Sequence, residues 1–236
     1  MSGRIMLVEE RLESAEALWK SAVSCGFHLE IGFDLDAAIT MLENGPLPDA
    51  LILACGKHKL GRRSALKALR FSIRTQRLPV IVIAPAGDEE DCIRTLAAGA
   101  DDYVTTPFSP AELFARVKAI LRPRPVSAPD PVLVFDGLSL DPNTHSIFLM
   151  DYDKRTDLGM TPTEFKLLRL LIKHADEVLS RETIVKSVWD EERAVMPRMI
   201  DVQVYNIRAI LRQVGREHMI ETVPRMGYRI RSRSAL

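Results

Sequence analysis

Leu47-Pro-Asp-Ala-Leu-Ile-Leu-Ala-Cys-Gly-Lys-His-Lys-Leu60 holds a short apolar run, Ala50 to Ala54, between turn-forming residues. Such a run predicts a strand buried on both faces of a parallel sheet. Open α/β sheets place their chemistry just past the carboxyl ends of their strands. Here that place holds Ala54, Cys55 and Gly56, followed by Lys57, His58 and Lys59. No Asp or Glu occurs from Ala50 through Gly87. The rest of the chain must explain a strand end with nothing acidic on it.

Strand and helix signals alternate on either side of this stretch. Ile5 to Val8, His28 to Gly32, Pro79 to Ala84 and Asp102 to Thr105 read as further strands. Leu12 to Cys25, Leu35 to Leu42, Ser64 to Arg74, Glu89 to Ala98 and Pro110 to Leu121 read as helices. In the first helix Ala15, Leu18, Trp19 and Ala22 share one face. Five β/α pairs of this length predict a doubly wound parallel sheet of flavodoxin-like (βα)5 type. Neither a G-x-G-x-x-G run nor a Walker lysine loop is present, which argues against a nucleotide site.

Four prolines fall within Arg122-Pro-Arg-Pro-Val-Ser-Ala-Pro-Asp-Pro131. Each fixes its own φ and turns its predecessor away from helix, so 122–131 predicts a linker between domains at 1–121 and 132–236. The second domain opens with short strands at Val132 to Phe135, Leu138 to Leu140 and Ser146 to Leu149. Helices are expected at Thr161 to His174, Ser180 to Val188 and Pro197 to Val214, then paired strands around Pro224-Arg-Met-Gly227. Three helices and a terminal hairpin make an α+β winged helix-turn-helix.

Composition sets the outer bounds. At 47% apolar and 27% charged, the chain has the make-up of a globular protein. No apolar run reaches the roughly 18 residues of a membrane span. Met1 to Val8 is too short an apolar start, too soon followed by Glu9 and Glu10, to read as a secretory signal. Three widely spaced cysteines, Cys25, Cys55 and Cys92, argue for reduced thiols in a cytoplasmic protein and against a zinc site. The net charge is zero, yet from Arg198 onward eight Arg and one His face only Asp201, Glu217 and Glu221. That local surplus suggests an anionic partner, nucleic acid first.

Five stretches carry a family resemblance: Gly99-Ala-Asp-Asp-Tyr-Val104, Pro107-Phe-Ser-Pro-Ala-Glu-Leu113, Leu138-Ser-Leu-Asp-Pro142, Met160-Thr-Pro-Thr-Glu-Phe-Lys-Leu-Leu168 and Gly227-Tyr-Arg229. In this order and spacing the chain resembles a bacterial response regulator of the OmpR/PhoB class, most nearly its PhoB-like members. The resemblance implies a CheY-like receiver followed by a DNA-binding effector, with no enzymatic role. It also implies a phosphorelay site: an acidic pair for a divalent ion, an acceptor Asp, a hydroxyl and a Lys. Carboxylate attack on phosphorus and charge neutralisation need all of these parts. The acidic pair is kept as Glu9 and Glu10, but the acceptor position is Ala54, or Cys55 with a one-residue slip, the hydroxyl position Ala84 and the lysine position Thr106. The expectation is therefore an atypical receiver with no phosphoacceptor, metal or cofactor, its two glutamates solvated or paired with Lys57 or Lys59.

The resemblance further implies a homodimer through the fourth helix, fifth strand and fifth helix. Asp102 with Arg116 matches one ion pair of that surface, and Glu112, Lys118 and Asp101 stand at family positions. Cys92 replaces a common basic residue, with Arg94 as its substitute, and Tyr103 is the family's switch aromatic.

On the last helix, Ile200, Val204, Ile207 and Leu211 form the core stripe. Arg198, Val202, Tyr205, Asn206 and Ala209 lie opposite, as a groove-reading helix needs. Asn206 suits adenine and Val202 a thymine methyl, at roughly 1–3 kcal/mol of discrimination for a good bidentate contact. Arg198, Tyr205 and Arg208 are expected on phosphates, Arg225 in the minor groove, and Thr222 and Tyr228 near the DNA backbone. Family counterparts carry basic residues at Tyr205 and Asn206 and an Arg at Pro224, so a phosphate-regulon operator does not carry over. Trp189 and the acidic loop with Asp190 and Glu191 match a loop that can touch RNA polymerase.

The expected function is a transcription regulator on direct-repeat double-stranded DNA, independent of aspartyl phosphorylation. Two alternatives stand beside it. One is an adaptor for a sensor kinase or another response regulator. The other is a redox regulator at Cys55, its pKa lowered by Lys57, His58 and Lys59. The basic run from Lys57 to Arg77 reads as a solvated helix face, and both tryptophans, Trp19 and Trp189, as packing residues.

Overall fold

A computed structural model describes residues 3–54, 59–121, 131–151, 154–189 and 197–232. The chain divides into two compact units, Met1–Arg122 and Pro123–Leu236. Linker residues 122–130 lie outside the described residues, as do Cys55, Lys57, His58, Asp190 and Glu191.

In the first unit, β1 (Arg4–Val8), β2 (His28–Gly32), β3 (Ala50–Leu53), β4 (Val80–Pro85) and β5 (Asp102–Thr106) form one sheet, ordered β2-β1-β3-β4-β5. Every pairing is parallel. Between the strands run α1 (Leu12–Ser24), α2 (Leu35–Asn44), α3 (Lys59–Phe71) and α4 (Glu89–Ala97), and α5 (Pro110–Leu121) follows β5. This is the expected doubly wound fold. All four β3 residues are buried, because helices on both sheet faces leave no side for water. Asp34 and Asp88 start α2 and α4 by accepting hydrogen bonds from the backbone N–H groups of Ala37 and Asp91.

Two helical expectations change. Trp19 is 46% exposed rather than packed with Ala15, Leu18 and Ala22. Those three span about 60° of the helix, and Trp19 lies about 40° beyond their edge. Helix α3 begins at Lys59, several residues before Ser64, and ends at Phe71. Its buried stripe is Arg62, Ala65, Leu66 and Leu69, and a buried arginine does not read as apolar.

The second unit opens with an antiparallel sheet of β6 (Leu133–Phe135), β7 (Leu138–Asp141), β8 (Ser146–Asp151) and β9 (Lys154–Asp157). Strand β9 was not expected: Lys-Arg-Thr-Asp has no apolar alternation, and it sits on the sheet edge where none is needed. Helices α6 (Pro162–Lys173), α7 (Arg181–Val188) and α8 (Pro197–Arg212) follow, then the hairpin of β10 (Ile220–Val223) and β11 (Gly227–Ile230). Thr161 and Glu164 close a capping box on α6, with Pro162 in its first turn. One core joins the sheet residues Leu138 and Ile147 to Phe165, Ile184, Trp189 and the hairpin's Ile220 and Ile230. Ile200, Val204, Ile207 and Leu211 of α8 are all buried in that core, as the period-3.6 stripe requires.

Candidate functional sites

Ala54, Ala84 and Thr106 stand at the carboxyl ends of the adjacent strands β3, β4 and β5. Ala54 and Ala84 are buried, and neither offers a group that could accept or hold a phosphoryl. Glu9 corrects an expectation, since it is buried rather than solvated. It accepts a hydrogen bond from the Arg11 backbone N–H (3.0 Å) and pairs with the Arg11 guanidinium (3.5 Å). Glu10 is exposed. Among the described residues, no group of three or more His, Cys, Asp or Glu could hold a metal ion.

Among its described residues the basic run is only partly a solvated face: Lys67 and Arg74 are exposed, but other arginines turn inward. Arg62 is fully buried, with its Nη2 2.5 Å from Asp91 Oδ2 at the start of α4, and Arg63 adds a longer contact at 3.5 Å. The Tyr103 hydroxyl donates to the same Asp91 oxygen at 2.9 Å, and its ring is buried. Burial first, then Asp91, pushes the Tyr103 phenol well above its ordinary range. Arg70 donates to the carbonyls of Gly99, Thr75, Gln76 and Leu78 and to Asp101 at 3.0 Å, tying the end of α3 to the turn before β5. Arg74 donates to the Leu42 and Gly45 carbonyls at the end of α2. These arginine forks satisfy the Leu42 carbonyl in the last turn of α2 and loop carbonyls just past α2, α3 and α4.

The expected dimer surface divides accordingly. Asp101 and Asp102 are fully buried, which corrects their placement on an interface. Asp101 also accepts from the Val80 backbone N–H, and Asp102 faces Arg116 at 3.6 Å within the same unit. Arg116 donates to Glu112 as well, while Arg94 pairs with Glu90. Arg94, Glu112 and Lys118 are exposed. Cys92 is buried, and burial followed by Asp91 and Glu89 pushes its thiol up to about 12, so it stays protonated.

In the second unit, Arg198 and Tyr205 are exposed on α8, with Val202 and Asn206 partly so. Thr222, Arg225 and Met226 are exposed on the hairpin, Arg225 at φ +63 in its turn. Two expectations change here. Arg208 turns to the hairpin, where its Nε and Nη2 donate to the Ile220 carbonyl (3.1 and 2.7 Å) and Nη2 to the Thr222 hydroxyl (2.9 Å). Tyr228 is buried and bonded internally. Its hydroxyl donates to Asp201 Oδ1 at 2.7 Å, and Arg181 donates to both Asp201 (2.8 Å) and that hydroxyl (3.3 Å). Burial, then the bond to Asp201, pushes the Tyr228 phenol up to about 12. The Tyr228 backbone also pairs with Leu179 just before α7. A Cβ on Gly227, at φ +148, would overlap the Leu179 carbonyl, so only glycine permits that approach.

Sequence reasoning missed Arg62, Asp91, Arg181 and Asp201. A signal existed for the last: Asp201 and Arg208 lie two helical turns apart and therefore share a face.

The chain is 36% identical over 233 residues to the phosphate regulon transcriptional regulatory protein PhoB of Klebsiella pneumoniae, covering 99% of this chain and 100% of that protein. The chain belongs to the OmpR/PhoB family of DNA-binding response regulators. PhoB of Escherichia coli K12 matches equally, and response regulator MprA of Mycobacterium sp. strain KMS is 31% identical over 98% of both chains. The family described as "Transcriptional regulatory protein, C terminal" matches residues 155–230. A solved mutant of RitR shares the fold, at 22% identity, a TM-score of 0.74, and coverage of 98% of this chain and 100% of that one. Within the OmpR/PhoB family the first unit is the receiver and the second the effector, and the homologues are regulators rather than enzymes. No helix of the described residues is long and apolar enough to cross a membrane.

Proposed function

We propose that this protein regulates transcription without aspartyl phosphorylation, as a dimer on directly repeated DNA sites. One observation carries the reading: Ala54, Ala84 and Thr106 occupy three neighbouring strand ends, where phosphoryl transfer needs a nucleophile, a hydroxyl and a cation. The Arg62–Asp91–Tyr103 cluster supports it, because the aromatic that would respond to a phosphoryl group is already buried and bonded. The groove-reading set is Arg198, Val202, Tyr205 and Asn206, with Arg225 and Thr222 on the wing. Exposed Arg94, Glu112 and Lys118 remain for a receiver–receiver contact. Ion pairs there are worth at most about 1 kcal/mol each, so apolar contact must carry most of it. Trp189 is a core residue, so any polymerase contact falls to Asp190 and Glu191. Such a regulator works in the cytoplasm.

Selecting bound DNA from genomic fragments with unmodified protein tests the reading. A repeated motif is expected, unchanged by acetyl phosphate, with no mass gain on the protein. Enrichment only after phosphodonor treatment would overturn phosphorylation independence. A monomer on gel filtration at micromolar concentration would overturn the dimer.

A second reading has one observation in its favour. Phe71 and Ile73, at and just past the end of α3, are 92% and 89% exposed on the first unit. Such side chains suit an adaptor that binds a sensor kinase or another regulator. Co-purification with a second regulator, lost in a Phe71→Ser, Ile73→Ser variant that still binds DNA, would favour it.

A further inference from the structure

On an ideal helix the core stripe of α8 and its groove face, Arg198 to Ala209, point about 180° apart, and Asp201 and Arg208 lie about a quarter turn from each. Both turn to the hairpin. Asp201 accepts from Tyr228 of β11, and Arg208 donates to Ile220 and Thr222 of β10. Tyr228 and Thr222 are themselves opposite one another in the hairpin register. Two guanidiniums lie near the Tyr228 ring, Arg181 at 4.9 Å and Arg208 at 5.9 Å from its centroid. The helix is thus fastened to the wing at two levels, one per strand, by side chains that lie outside its groove face.

From this geometry we infer that Arg208, supported by Asp201 and Tyr228, is a positioning residue. It sets the distance and angle between the recognition helix and the wing, so that both enter DNA as one rigid reader. It is not a phosphate contact. The inference rests on the DNA-binding reading above and adds how the two contacts are coupled. A helix and wing held in advance lose no further freedom on binding, and that preorganisation appears as affinity for the correct site only. A contact to phosphate would instead add to every sequence alike.

The full-length protein first enriches a duplex from a random library. That duplex and a scrambled one of equal length then serve as probes. Arg208→Met is expected to weaken the enriched duplex about tenfold and the scrambled one by no more than about twofold, with the salt slope unchanged. Equal weakening of both duplexes, with the slope reduced by about one, would mark a phosphate contact and overturn the inference. Arg208→Lys keeps the charge but loses the fork, so it should behave like the methionine variant; wild-type binding by it counts against the brace.

Wing coupling provides the readout that general destabilisation would not move. Arg225→Met should cost about tenfold in the wild-type background and about twofold or less beside Arg208→Met. Additive losses would overturn the inference. Thr222→Val removes one of the three hydrogen bonds and provides a milder variant if Arg208→Met does not fold. It should lower the Arg225 contribution part-way, and an unchanged contribution would again overturn the brace. Absence of any enriched motif sinks the DNA-binding reading and the brace together, whereas a motif with additive variants sinks the brace alone.

Discussion

Each unit holds an aspartate that accepts hydrogen bonds from both an arginine and a tyrosine, and the two trios differ mainly in burial. In the receiver, the Arg62 and Asp91 side chains are 1% and 3% exposed, with the Tyr103 hydroxyl bonded to Asp91. In the effector, Arg181 and Asp201 are 30% and 44% exposed, beside a buried Tyr228. In the first, each charge is removed from water, so each depends on the other. Attraction between them is offset by desolvation, and the pair fixes geometry more than it adds net stability. In the second, water still reaches both charges, and little stability is at stake. What the effector trio holds is the relation of α8 to the hairpin, which matters when DNA arrives.

The largest expected effect follows from that contrast. Asp91→Ala takes the carboxylate from a fully buried guanidinium and should cost about 3–5 kcal/mol of receiver stability. Asp201→Ala, in partly solvated surroundings, should cost about 1 kcal/mol or less. Urea unfolding of the full chain, followed on each unit, measures both. Equal losses would break the comparison. An Arg62→Met, Asp91→Leu pair sharpens it, because replacing that ion pair with apolar groups should recover part of the loss, the Tyr103 hydroxyl still losing Asp91 as acceptor. The order should invert for specific DNA affinity, where Asp201→Ala is the more damaging change.

Next in size is Gly227→Ala. Its Cβ has no room beside the Leu179 carbonyl, and φ +148 is strained for any side chain. The variant should lose about 2–3 kcal/mol in the effector and leave the receiver's transition in place. A melt in which both units moved together would show that the two trios do not belong to independent folding units.

The sequence made some of these features visible and hid others for identifiable reasons. Apolar periodicity placed the five parallel strands and the α8 core stripe, because water is excluded from one side or both. It could not place β9, whose exposed edge has no apolar side to show. Ala54 and Ala84 were legible as strand-end residues from apolar runs, but their roles and that of Thr106 came only through the family resemblance. Arg62 was not: residue type says surface, and only its neighbours Ala65, Leu66 and Leu69 say core. Arg208 was legible as a cation on the right helix but not as a tether, since its partner is the Ile220 main-chain carbonyl. Asp101 looked like an interface residue, yet Arg70, 31 positions away, had already claimed it.

The smallest expected effect concerns pH, and it separates the units again. In the receiver, Cys92 is raised from 9.0 to about 12 by burial. Its neutral form is the folded one, so its contribution is complete below about pH 9 and lost as pH rises toward 12. In the effector, His145 packs its ring 5.1 Å from Phe165 and is held below its ordinary 6.5, by burial first and by Lys166 and Arg169 next, against a weaker opposing pull from Asp141. Its neutral form is also the folded one, but here the contribution is complete above pH 6.5 and fades as pH falls through the lowered value. Mild acid should therefore loosen the effector before the receiver. His145→Asn accepts the local φ of +50 and cannot gain a proton, so it should flatten the effector's acid limb while leaving the receiver's curve unchanged. If the limb persisted in that variant, the acid sensitivity would belong to the carboxylates of the effector surface, and His145 would be a packing residue alone.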